Sequence, residues 1–130
     1  MVVNYISMIA NTLIEHFPDV TIYKNKVEQG LQKPCFFISC INTEITDLRA
    51  DYKRIRKLFN ITYISDETDK QDIVIKLSML NSIKDSNTEL RIFNKSIKSV
   101  EDDIVMTFET LDMYRIDTEK DIMQNITQGV

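Results

Sequence analysis

The chain predicts an α+β domain: a mixed, mainly antiparallel β-sheet with a long hairpin, flanked by two helices. Three observations predict it. Val2, Ile6, Ile9, Leu13 and Phe17 recur at spacings of four, three, four and four, the period of one helix face. Apolar side chains alternate with polar ones around Ile55, Phe59, Ile61 and Tyr63, and again at Ile104, Met106 and Phe108. Between helix and hairpin, the polar stretch Val27-Glu28-Gln29-Gly30-Leu31-Gln32-Lys33-Pro34 opens abruptly onto Cys35-Phe36-Phe37-Ile38. Gly30 takes a positive φ at little cost, and Pro34 holds Lys33 extended, so a strand starts at Cys35.

At 130 residues the chain is the size of one ordinary domain, and 43% hydrophobic with 28% charged residues places it among globular chains. A net charge of -4 argues against a dedicated nucleic-acid binder, although it leaves room for a local basic face. No stretch approaches the roughly 20 apolar residues that span a bilayer, so no membrane contact is expected. Asn4, Ser7 and Asn11 interrupt what would be the apolar region of a signal peptide, and no basic region precedes it. Cys35 and Cys40, in one strand, would stand about 16 Å apart on opposite faces, beyond disulfide reach. Buried free thiols are expected.

In chain order, the first helix ends at Phe17-Pro18, and Thr12 lies away from its apolar stripe. A short strand follows at residues 20–23. The first long strand covers residues 35–45, with Phe36, Ile38 and Cys40 on one face and Phe37, Ser39 and Ile41 on the other. Residues 49–51 form a hairpin tip. The return strand, residues 52–64, turns Arg54, Arg56, Asn60 and Thr62 away from its apolar face. Such a hairpin exceeds roughly 40 Å and overshoots the core of a small domain, which marks it for contact with another subunit.

Thr68 with Gln71 offers a capping box for a second helix carrying Ile73, Leu77 and Leu80, flanked by Val74 and Ile83. Residues 84–87 read as a loop, and residues 90–100 as a strand or short hairpin broken at Asn94-Lys95. Glu101-Asp102-Asp103 make a turn. The last strand begins near Ile104, and its apolar parity switches near Thr110, as a bulge would produce. One domain is therefore predicted over residues 1–117. Residues 118–130 form a tail, read equally as a short helix on Ile122, Met123 and Ile126 or as a segment that orders on assembly.

Chemistry is hard to find. His16 is the lone histidine and sits in the last turn of a helix, where the dipole explains it. One histidine and two separated thiols assemble neither a zinc site nor a cysteine-histidine pair. Glycines at positions 30 and 129 alone build no phosphate loop. The acidic groups at residues 66–69 and 101–103 lack calcium-loop spacing and read as a helix start and a solvated turn. No catalytic, cofactor or metal residue is assigned, and no enzyme activity is expected. The densest basic feature is Lys53, Arg54, Arg56 and Lys57, read as an electrostatic contact with DNA or an acidic partner surface, or as the solvent face of an amphipathic strand whose charges guard an edge; the absence of interleaved aromatics favours the solvent-face or protein-contact reading.

The order of elements and the run FPDVTIYKNKVEQGLQKPCFFI resemble the phage tail terminator proteins of the defective-prophage type found in Firmicutes. These belong to contractile-tailed phages, prophages and phage-derived bacteriocins. The likeness rests on His16-Phe17-Pro18, Ile22-Tyr23, Val27 to Leu31 and Lys33 to Ile38, then on Tyr52-Lys53-Arg54 and Phe59 to Tyr63. It implies a structural virion protein with no cofactor. Such proteins form a ring, typically a hexamer, on the head-proximal end of the tail tube, stop tube and sheath growth, and offer a surface to the neck or connector. The partners implied are further copies of itself, the tube protein, the sheath protein and the neck protein. DNA is touched only where it passes through the lumen. The resemblance places the protein in the virion after assembly in the host cytoplasm. Two other readings stay open: a neck or head-completion adaptor, and a small nucleic-acid-binding module using the basic strand.

Overall fold

A computed structural model describes residues 4–24, 30–49 and 51–115. The predicted tail, residues 118–130, lies outside the described residues, as does most of the turn before Gly30. Two helices cover one face of a six-stranded sheet of order β1-β2-β3-β6-β5-β4, mixed but mostly antiparallel and curled, as the α+β reading expects.

Helix α1 (Tyr5–His16) opens at Asn4, whose side chain accepts the Ser7 N–H at 3.0 Å, and closes at Phe17. Met8, Ile9, Leu13 and Phe17 are buried as the stripe predicts. Thr12 is buried too, against expectation. Its hydroxyl donates to the Met8 carbonyl at 2.9 Å and accepts the Lys84 N–H at 2.9 Å. With both partners satisfied, a threonine can sit inside the core. His16 donates from Nδ1 to the Thr12 carbonyl at 2.9 Å, so it has a structural partner.

Strand β1 (Thr21–Tyr23) pairs parallel with the start of β2 (Cys35–Asp47). Gly30 has φ +76, as its turn requires, and the Lys33–Pro34 peptide is cis. β2 and β3 (Tyr52–Ile64) form the long antiparallel hairpin, with a register shift between Cys40 and Asn42 that leaves Ile41 as the extra residue. Cys35 is buried, but Cys40 is exposed and not the buried thiol expected. It lies on the core side of β2 at the point where the core stops.

Helix α2 (Gln71–Ser78) starts without the predicted Thr68–Gln71 capping box. The Asp69 carboxylate accepts the Gln71 N–H instead, at 3.0 Å. Ile83 is not on this helix but in a short strand, β4 (Ser82–Lys84), which pairs with β5 (Glu89–Val100) across a turn where Asp85 Oδ1 accepts the N–H groups of Asn87 and Thr88. β5 is one continuous strand. The break at Asn94-Lys95 is a bulge, with Asn94 at φ 52, and it lets Lys95 donate to the carbonyls of Ser78 and Leu80 at the end of α2. β6 (Asp103–Arg115) then pairs with β3 in unbroken register from Tyr63↔Ile104 to Tyr52↔Arg115.

One core results. Phe36, Ile38, Phe59, Ile61, Tyr63, Met106 and Phe108 lie on one side of the sheet and meet Met8, Ile9, Leu13 and Leu77 from the helices. At roughly 25 cal/mol per Å² of apolar area removed from water, this cluster is the main stabilising term. The parity switch at Thr110 is not a bulge in β6. Thr110 keeps the core side and is 1% exposed, while Leu111 and Met113 lie on the opposite face because the core has ended.

Candidate functional site

Burial divides the sheet lengthwise. In β2 only Cys35, Phe36 and Ile38 are buried, in β3 only Phe59, Ile61 and Tyr63, and in β6 nothing beyond Thr110. The remaining lengths, residues 40–47, 52–58 and 111–115, run on together as a three-stranded arm. The overlong hairpin was legible in the sequence; its third strand was not. Among the described residues, six of the ten exposed large apolar side chains belong to this arm: Ile41, Ile45, Leu48, Tyr52, Met113 and Tyr114. Leu48, Tyr52 and Met113 line a shallow hollow at its tip. Concentrated apolar exposure of this kind marks an interaction surface.

The basic cluster lies in the arm but does not form one patch. Alternation puts Lys53 and Lys57 on the helix side and Arg54 and Arg56 on the open side. Lys53 is paired with Asp47 directly across β2. Lys57 donates to Thr43 Oγ1 at 3.2 Å and stands 5.3 Å above the Tyr5 ring. Arg56 Nε is 3.6 Å from Glu109 Oε1, an ion pair too long for a hydrogen bond, and leaves a buried donor unsatisfied. Arg54 and Lys57 have no ion-pair partner among the described residues, and Arg54 alone of the four has no side-chain hydrogen bond or ring contact either. Sequence reasoning missed Leu58, Leu111 and Met113, which share the open face with Arg54 and Arg56. The parity switch at Thr110 was their signal.

Tyr5 ties the helix layer to the base of the arm. Its ring lies 5.8 Å from that of Phe59, and its hydroxyl donates to Asp112 Oδ2 at 3.2 Å. Burial, then the Asp112 charge and hydrogen bond, push its pKa up from 10.0 to about 12.

At the opposite end of the sheet an open groove of about 840 Å³ runs between Asp66, Glu67, Asp102 and Asp103. Its two lysines are engaged, Lys33 with Asp66 at 3.1 Å and Lys70 with the Asp102 carbonyl. Among the described residues no group of histidine, cysteine, aspartate and glutamate is placed to hold a metal, and no helix is long and apolar enough to cross a membrane.

A family model described as phage tail terminator protein matches residues 5–123, from the first residue of α1 to beyond the end of β6. The chain belongs to this family. A comparison with curated proteins finds no match. Membership agrees with the likeness carried by the turn-and-strand motif around Gly30 and Pro34, and it makes the chain a structural component of a phage tail. Within a tail terminator, the arm and the acidic groove are the two surfaces left to explain. The arm carries the apolar exposure.

Proposed function

We propose that this tail terminator assembles as a ring, a hexamer, that closes the head-proximal end of the tube and sheath of a contractile tail and presents its other surface to the neck. Family membership supports the tail role. The observation that carries the ring is the arm: strands of 13 residues whose far halves bury nothing within the subunit and expose apolar side chains on both faces. A monomer gains little from such an extension, whereas an assembly gains a surface to bury. In this reading Lys53, Arg54, Arg56 and Lys57 border the contact with a neighbour or the tube, with Arg54 the most available. The protein works in the virion, having assembled in the host cytoplasm, and meets DNA only where DNA crosses the ring lumen.

The test is mass photometry of the protein alone and mixed with the tube protein of the same gene cluster, followed by electron microscopy of tube lengths. A ring, free or formed on tube ends, with tubes of fixed length is the expected result. A protein that stays monomeric and leaves tube growth unaltered overturns the reading and favours a neck adaptor.

A further inference from the structure

The two long sides of the arm are both unpaired strand edges. Among the described residues β1 covers the outer edge of β2 only as far as Phe37, and β5 covers the outer edge of β6 only up to Thr110. What remains is residues 38–47 on one side and 111–115 on the other. The β3 register sets them level, since Arg54 faces both Thr46 and Met113. Because β2 and β6 each run antiparallel to β3, they run parallel to one another, on opposite sides of the same ribbon.

We infer that the outer edge of β2 in one copy pairs with the outer edge of β6 in the next, in parallel, joining the arms of successive subunits into one continuous sheet. The inference rests on the ring reading above and names its interface. A second copy fits because each subunit offers both halves of the joint, and residues 44–47 of β2 lie level with residues 111–114 of β6. Charge points the same way. From Ile38 onward β2 carries Glu44 and Asp47 and no base, while the uncovered end of β6 carries one acid, Asp112, and one base, Arg115. Two β2 edges placed together would oppose carboxylates. A β2 edge against the uncovered end of a neighbour's β6 meets no net negative charge. Apolar cover agrees: Ile45 and Tyr114 stand on the helix side of the two edges, 58% and 39% exposed, and adjoin when the sheets continue. A joint between unlike edges closes into a ring under rotation.

The experiment uses two edge variants, Ile45→Lys and Met113→Lys, at side chains 58% and 56% exposed, so that the monomer keeps its circular dichroism and melting temperature. Wild type and variants are compared by light scattering up to the solubility limit. Each variant alone is expected to be monomeric where wild type assembles. Mixed, they are expected to form a one-to-one heterodimer that grows no further, because the mixture holds one intact β2 edge and one intact β6 edge. Wild-type-like assembly by either variant, or no heterodimer on mixing, overturns the joint while an assembled wild type keeps the ring. A wild type that never assembles alone also overturns this pairing, and the ring then stands or falls on the tube experiment.

Discussion

Lys57 and Phe59 sit two residues apart on the same side of β3, yet they belong to regions built on different terms. Phe59 is 1% exposed and touches rings from α1 and β6. Lys57 stands over the Tyr5 ring with its ammonium at a threonine hydroxyl. The backbone pairing is the same in both places: β3 is hydrogen-bonded to β2 and β6 along its length. What changes is whether a helix lies above the sheet. The strand ladder alone sets shape, and the helix layer supplies most of the stability.

Large effects belong to the covered half. Phe36→Ala removes a fully buried ring that packs on Phe17 and Tyr63 at 5.1 Å each, and a loss of about 3–5 kcal/mol in urea unfolding is expected. An equal loss from Ile45→Ala in the arm would break the comparison; its expected cost to the monomer is within about 0.5 kcal/mol. Thr12→Val comes next. It preserves shape but leaves the Lys84 N–H without its acceptor, at about 1–3 kcal/mol by the same measurement.

Tyr5→Phe probes the junction between the halves. At neutral pH the lost bond to Asp112 costs about 0.5–1.5 kcal/mol. The folded state favours the neutral phenol, so its contribution is fully present below pH 10.0 and is lost as pH rises through about 12. The gap between wild type and the phenylalanine variant, followed by urea midpoint, should therefore narrow over that interval. A constant gap would show that the hydroxyl is not held as described. The smallest effect on the monomer is expected of Arg54→Glu, at about 0.5 kcal/mol or less, together with weaker assembly. Unfolding, or assembly at wild-type strength, would remove Arg54 from the interface.

The covered half was the more legible in the sequence, for a physical reason. Burial imposes period on residues, so the α1 stripe, the alternation in β3 and the start of β6 could all be read. Gly30 and Asn94 could be read because their turn and bulge need unusual backbone. Thr12 escaped because its two partners lie on Met8, one turn away, and on Lys84, 72 residues away. Ile83 was drawn into a helix because its spacing fits one, until pairing with Leu90 claims it for β4. In the arm no core enforces a pattern. That β6 lies beside β3 there is a nonlocal fact, and the apolar shift from Phe108 to Leu111 looked like an irregularity when it is a change of face. The four basic residues read as a cluster because they are close in sequence, but alternation sends two to each side.

The continuity of β3 and β6 from core to arm has a mechanical consequence. Hydrogen bonds in these ladders lie perpendicular to the strands. A pull along the arm therefore strains every rung of both ladders in shear, and no single rung must yield before the rest share the load. A sideways pull meets them one at a time. The subunit resists being drawn out lengthwise far better than being unzipped from an edge.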